Sequence, residues 1–437
     1  MMLQVQPMSR PNLLSLVNTW ILCGVLMVLA SMYGFSFEHG ITNTTTGAKE
    51  QGLSAPSSQD SVILRLQNAA MYCLGLLVMF PLVKSIGAEL RRNALISVLL
   101  LWMIASCIWS DDASASMTNG IRMILDVALS IFLVKRYTTN DLLKILMLVG
   151  SVAAASSLFL IVALPQYGLQ SRDTLYAFGA WQGIFGQKNL CGSVMTLLLL
   201  PAFFVELDGR LGRALRALYI ITLLMIIVMT RSAGSWILCI CCVAFVGALR
   251  LLLALEPKKA LPVGLLLLGT VAIVVLGIAS HADAFLRMIG KDSGMNGRTA
   301  IWSTLLLSAL KRPVGGYGYR AFWLPTLGGE SMNAMIRLGW TGMAYAENGI
   351  LELWLELGAV GVLLYGSLFI RGTKDALYCL RRNPLPSAMW YASILFYVAI
   401  SNIWDGNLLM PSFLQCLIPF IAYVGLRENV ARIREVQ

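Results

Sequence analysis

Apolar residues fall in long runs, broken by short polar segments rich in Arg and Lys. The runs cover roughly 13–35, 66–83, 94–110, 118–134, 142–164, 188–206, 216–230, 233–254, 261–280, 349–370, 387–404 and 408–425. A helix needs roughly 20 apolar residues to cross a bilayer, and most of these runs approach that length. They predict an all-α polytopic membrane protein with about 12 transmembrane helices. The chain then divides into 1–280 with spans one to nine, 281–348 as an outer loop with short amphipathic helices, and 349–437 with spans ten to twelve and a tail. The first run follows Arg10, is too long for a signal-peptide core and has no clear small-x-small cleavage site, so it reads as a retained span.

Basic residues orient this bundle. With the N-terminus inside, the inner segments hold 20 of the 33 Lys and Arg, and every inner loop is basic. The short outer loops are nearly free of them, which predicts that both termini are cytoplasmic. The same bias accounts for most of the net charge of +11 without any nucleic-acid partner. Composition agrees: 58% of the 437 residues are hydrophobic, 13% are charged, and the mean hydropathy is +0.74. A soluble surface could not be built from that balance, which excludes a cytosolic enzyme, a secreted disulfide scaffold and a disordered chain. The nine cysteines have no disulfide spacing, and Cys239, Cys241 and Cys242 sit mid-span with no His nearby.

The outer side carries the candidate chemistry. Residues 36–61 and 165–187 are outer loops, and residues 281–345 form the one long extramembrane piece. Within it, Ile301, Leu305 and Ala309 are spaced for a short amphipathic helix, and the turn-rich stretch Pro313 to Tyr319 follows. This loop holds Arg287, Lys291, Arg298, Lys311, Arg312, Arg320 and Arg337, against the positive-inside trend. An anionic ligand at the outer surface, such as a lipid-linked diphosphate, would explain them, because guanidinium forks match phosphate oxygens. A solvated loop is the plain alternative. Arg298 stands out because it opens the amphipathic helix, where a helix N-terminus adds its own preference for anions. Lys188 and Arg231 lie at helix ends on the same side, where they either bind such a ligand or snorkel to the headgroups.

Glu347, just before span ten, is a candidate base or a simple helix cap. Glu352 and Glu356 share one face of that span and must look inward, in a direct role or in an ion pair with Arg231 or Arg122. Asp111 and Asp112 are a weak metal signal, and His39 and His281 read as ordinary loop residues. No internal repeat is visible, which disfavours inverted-repeat transporters.

Several blocks together resemble a known family. They are Trp109-Ser110, Gly183-Ile-Phe-Gly-Gln-Lys-Asn-Leu-Cys-Gly192, Gly297-Arg-Thr-Ala-Ile-Trp302, Gly316-Tyr-Gly-Tyr-Arg-Ala-Phe-Trp323, Glu347-Asn-Gly-Ile-Leu-Glu352 and Glu356-Leu-Gly358. In this order the chain resembles the O-antigen ligase and Wzy-type polymerase superfamily, and most of all its exopolysaccharide polymerases. The resemblance implies a GT-C type membrane glycosyltransferase in a bacterial inner membrane, with its active site facing the periplasm. The implied donor is a glycan on undecaprenyl diphosphate, passed to a glycan acceptor. Ligases instead use lipid A core as acceptor. The implied catalytic residues are Glu347 and Asn348, and Arg298, Arg231 and Lys188 would clamp the diphosphate. Gln182, Gln187, Asn189, Trp302, Tyr317, Tyr319 and Arg320 would touch acceptor or glycan. Inverting transfer is expected with no metal and no cofactor, the cationic side chains taking the Lewis acid's part. A chain-length regulator and other polysaccharide-assembly proteins are implied partners. The family usually carries His immediately before Asn-Gly, where this chain has Glu347. Other readings are a polysaccharide-pathway transporter and a non-catalytic assembly scaffold.

Overall fold

The computed structural model describes residues 72–170, 179–256, 298–323, 329–339 and 345–436, with Lys259. These residues are helical apart from loops and one isolated bridge between Leu169 and Trp181. The main helices are α1 (Tyr72–Arg92), α2 (Ala94–Ala105), α3 (Ala113–Arg136), α4 (Thr139–Ala163), α5 (Lys188–Leu199) and α6 (Gly209–Met229). They are followed by α7 (Ala233–Ala254), α8 (Arg298–Lys311), α9 (Glu330–Leu338), α10 (Gly349–Arg382), α11 (Pro386–Ser401) and α12 (Leu414–Val436). Among the described residues α1, α3, α4, α6, α7 and α10 are long and apolar enough to cross a bilayer, and α2, α5 and α11 are shorter apolar helices. The protein is thus a polytopic all-α membrane protein. The expected spans at 13–35 and 261–280, the loop at 36–61, and His39, His281, Arg287 and Lys291 lie outside the described residues.

Local chemistry sets most helix ends. Asp112 accepts the Ala115 N–H to start α3, Thr138 accepts the Asp141 N–H to start α4, and Ser232 accepts the Ser235 N–H to start α7. Three ends fall well beyond the hydropathy-based boundaries. α1 runs to Arg92 instead of 83, α10 to Arg382 instead of 370, and α12 to Val436 instead of 425. Hydropathy registers where the apolar stretch stops, but Lys and Arg are good helix formers and carry the helix on past it.

Packing explains the apolar excess. α12 is buried all round over its first half, with Leu414, Cys416, Leu417, Phe420, Ile421 and Val424 almost fully enclosed by α3, α10 and α11. Its one polar residue there, Gln415, donates to Ser193 and to Tyr397, each at 2.8 Å. The outward faces of α1, α6 and α7 instead expose Leu77, Phe80, Leu218 and Ile240, as lipid contact demands.

α10 is broken at Gly358, whose φ of 66° and ψ of −170° leave the helical region. The loop after α8 enters this break. Tyr317 N–H donates to Leu355 O at 2.7 Å, Gly318 N–H to Glu356 O at 3.0 Å, and Ala359 N–H donates to Pro313 O at 2.8 Å. A β-carbon on Gly358 would lie 2.0 Å from Val314 O, so the close approach requires glycine. Irregular backbone at such depth persists only where neighbouring groups satisfy it. Ile301, Leu305, Tyr317, Phe322, Ala346 and Leu355 form a second small core that seats α8 and α9 on the upper half of α10.

Candidate functional site

One cavity gathers six of the twelve site residues that the sequence singles out. Lys188 and Asn189 come from the first turn of α5, and Gln187 precedes it. Arg231 comes from the turn between α6 and α7, Arg298 from the start of α8, and Glu347 from the loop before α10. Segments far apart in sequence are therefore brought to one place. Two helices, α5 and α7, begin on the cavity wall, so their positive dipole ends add to its preference for anions.

The cations are arranged against their own repulsion. Lys188 sits half-buried within electrostatic reach of Arg231, and among the described residues no hydrogen bond or ion pair engages its ammonium. Arg231 is held with φ at 49°, a left-handed conformation unusual for a side-chain-bearing residue. The turn is pinned by Asn189, whose Oδ1 accepts from Ser232 Oγ at 2.8 Å and whose backbone carbonyl accepts from Ser235 Oγ at 3.3 Å. Arg298 pairs directly with Glu347, with 14% and 28% of their side chains exposed, so both still face the cavity.

Glu347 also has a left-handed backbone, φ 48°. Its neighbours hold that conformation. Trp302 Nε1 donates to Ala346 O at 3.0 Å, and Ala346 N–H donates to Glu352 Oε2 at 2.6 Å. Asn348 caps α10 by accepting the Leu351 N–H at 2.9 Å and donates to Ile403 O at 3.2 Å. Gln187 Nε2 donates to the Tyr345 hydroxyl at 2.7 Å. Gln187, Asn189, Trp302 and Asn348 thus brace the site.

Six expected site residues do not line the cavity: Trp302 and Asn348 brace it from outside, and four others sit elsewhere. Gln182 donates to Tyr167 O at 2.9 Å and does not line the cavity. Tyr317 and Tyr319 are 2% and 0% exposed, their hydroxyls committed to Ser308 O and Leu409 O. Arg320 pairs with Glu356 at 3.1 Å and Glu352 at 3.4 Å. This corrects the sequence-based pairing of these two acids with Arg231 or Arg122. The loop that enters the break of α10 delivers Arg320 to them, and a break is invisible to helical periodicity. Asp112 is a helix cap and Asp111 pairs with Arg312 at 2.6 Å, which accounts for the acidic pair.

Asp405 is the residue that sequence reasoning missed. It lines the same cavity from the loop after α11, next to Trp404. Burial and then the negative charge of Glu347 push its carboxyl up to about 6. Asn407 donates to its Oδ1 at 2.9 Å. An acid in a tight turn, in a chain with only 22 Asp and Glu, was the available signal. Burial followed by the same Glu347 charge raises the Tyr345 hydroxyl to about 12, so it stays a neutral donor or acceptor.

Glu352 gives a first expected result. It is almost fully buried, and it joins Arg320, the Trp323 indole and the Ala346 amide. Glu352→Ala should lower stability by about 3–5 kcal/mol, the usual cost of removing one partner from a buried ion pair. Glu352→Gln should lose less stability but still loosen the Glu347 loop. Thermal unfolding of the purified protein in detergent measures both, and unchanged melting of the Ala variant refutes this bracing role.

Comparison with known proteins follows this geometry. Residues 218–366 match the O-antigen ligase family model, Wzy_C. That stretch contains Arg231, Arg298, Glu347 and Glu352. The exopolysaccharide production protein ExoQ of Rhizobium meliloti is 26% identical over 320 residues, covering 68% of this chain and 71% of that protein. Over the matched stretch the chain is thus similar to the O-antigen ligase family, and over 320 residues to a protein of exopolysaccharide production.

Proposed function

We propose that this chain is a polymerase that joins undecaprenyl-diphosphate-linked oligosaccharide repeat units at the outer face of the inner membrane. The observation that carries the reading is the convergence of Lys188, Arg231, Arg298 and Glu347 on one cavity. Three cations suit a diphosphate, both as a binding group and as a leaving group that gains charge in the transition state. A carboxylate beside them suits an acceptor hydroxyl that must lose its proton.

In this mechanism the acceptor hydroxyl oxygen bonds to the anomeric carbon of the donor glycan as the bond from that carbon to the phosphate oxygen breaks. The proton passes to a carboxylate and undecaprenyl diphosphate departs with the bonding electron pair. In-line attack inverts the anomeric centre. The Arg298–Glu347 ion pair adds a coupling. A diphosphate that draws Arg298 away frees Glu347, so the base becomes available when the donor is in place. Asp405, beside Glu347, is a second carboxylate that can share the proton.

The test uses the full chain in detergent with lipid-linked repeat units, products being resolved by size with and without chelator. A ladder of lengthening lipid-linked chains is the expected result. Transfer to added lipid A core without a ladder would mean a ligase. No transfer to either acceptor would overturn a glycosyltransferase and favour transport or scaffolding.

A further inference from the structure

A second charged chamber lies at the opposite end of the bundle, where α1, α10 and α12 meet. Arg92, Arg371, Asp375, Arg427 and Arg434 line it together with Glu89 and Glu428. Two of the three acids are already engaged. Lys135 pairs with Glu89 at 2.8 Å and also with Glu428. Among the described residues none of the four arginines makes an ion pair, although Arg434 lies over the Tyr378 ring at 5.8 Å. Four guanidinium groups therefore face one uncommitted carboxylate, Asp375. Such a surplus of positive charge favours an anion in the chamber.

Next to the chamber is a slot with room for about one water molecule. It shares Arg371, Asp375 and Arg427, and it adds Leu95, Ile96, Leu368 and Tyr423. Arg371 lies 13 residues beyond the break at Gly358, about 20 Å along the lower, unbroken part of α10, and Arg92 closes α1. The chamber thus sits among the ends of apolar helices, where headgroups of a surrounding bilayer would lie. Basic pockets between membrane helices recognise lipid phosphates by this combination of charge and depth.

We propose that this chamber binds the phosphate of an anionic membrane phospholipid and that the lipid ties α1, α10 and α12 together. The site is separate from the glycan chemistry proposed above. It makes no claim on Arg298 or Glu347.

The experiment measures binding to the purified full-length protein in neutral detergent by native mass spectrometry and by thermal unfolding. The probes are phosphatidylglycerol, phosphatidylcholine and inorganic phosphate. Phosphatidylglycerol should be retained and should raise the melting temperature, and the other two should do neither. The double variant Arg371→Gln with Arg427→Gln should lose affinity for phosphatidylglycerol by roughly thirtyfold. Asp375→Asn, which removes a competing negative charge, should gain roughly fivefold, and it tests the site even if the double variant folds poorly. Equal retention of phosphatidylcholine, or Asp375→Asn failing to strengthen binding, overturns the proposal. Inorganic phosphate binding as tightly as the lipid overturns the lipid and leaves a small-anion site.

Discussion

Arg298→Ala is expected to lower glycan transfer by roughly 10²–10³-fold, the usual effect of deleting one preorganised group that stabilises developing charge. Arg298 opens α8, lines the cavity and pairs with Glu347, so it has a binding role and a holding role. Arg298→Lys separates them. An ammonium keeps the charge but loses the planar fork, so it should restore part of the donor affinity and little of the rate. The stability cost should be small, because the pair is partly open to the cavity, where ion pairs contribute at most about 1 kcal/mol. Size-resolved products from matched amounts of wild-type and variant protein, with melting temperatures recorded alongside, measure both effects. Full-length polymer from Arg298→Ala at the wild-type rate would remove Arg298 from the clamp. A large fall in melting temperature would instead assign it a structural role.

Much of this architecture is legible in the sequence because bilayer physics is legible. The apolar runs follow from the cost of burying polar groups in lipid, and they stand in the structure as apolar helices. The amphipathic spacing of Ile301, Leu305 and Ala309 appears in the structure as the buried face of α8. Less legible is whatever depends on broken backbone. The break at Gly358 and the loop that fills it bring Arg320 to Glu352 and Glu356, and no periodicity encodes that crossing. Tyr317 and Tyr319 likewise look like ligand-facing aromatics in sequence but are buried supports of that loop.

Legibility at the site follows residue type. Lys and Arg at outer helix ends are conspicuous because they are costly there, so Lys188, Arg231 and Arg298 could be singled out. Their convergence could not, since it depends on how four segments pack. Asp405 escaped notice because a lone acid in a turn has ordinary explanations. Three of the four side-chain-bearing residues with left-handed backbone among the described ones are Arg231, Arg320 and Glu347. Such conformations cost roughly 1–3 kcal/mol and persist where the surroundings impose them. Here the imposing contacts are the Asn189 bracing of the α6–α7 turn and the paired clamps on Ala346.

Glu347→Gln should lower transfer by roughly 10²–10⁴-fold, the range for losing a positioned general base. The amide keeps the size of the side chain and can still accept from Arg298, so the cavity should keep its shape. Glu347→Gly makes a stricter comparison. It relieves the left-handed backbone, worth about 1 kcal/mol, yet it removes the carboxylate, so it should fold at least as well and be at least as inactive. Asp405 then supplies a pH signature. Its carboxyl stands near 6 because of burial and, secondly, the charge of Glu347. Removing that negative charge eases ionisation of Asp405 and lowers its pKa. Residual activity of Glu347→Gln that depends on ionised Asp405 should therefore hold to lower pH than in the wild type. The acid limb of the pH–rate profile measures this shift. Wild-type rates in Glu347→Gln would leave Glu347 as a turn residue beside α10. A reduced rate with an unmoved acid limb would keep Glu347 as the base and remove Asp405 from proton transfer.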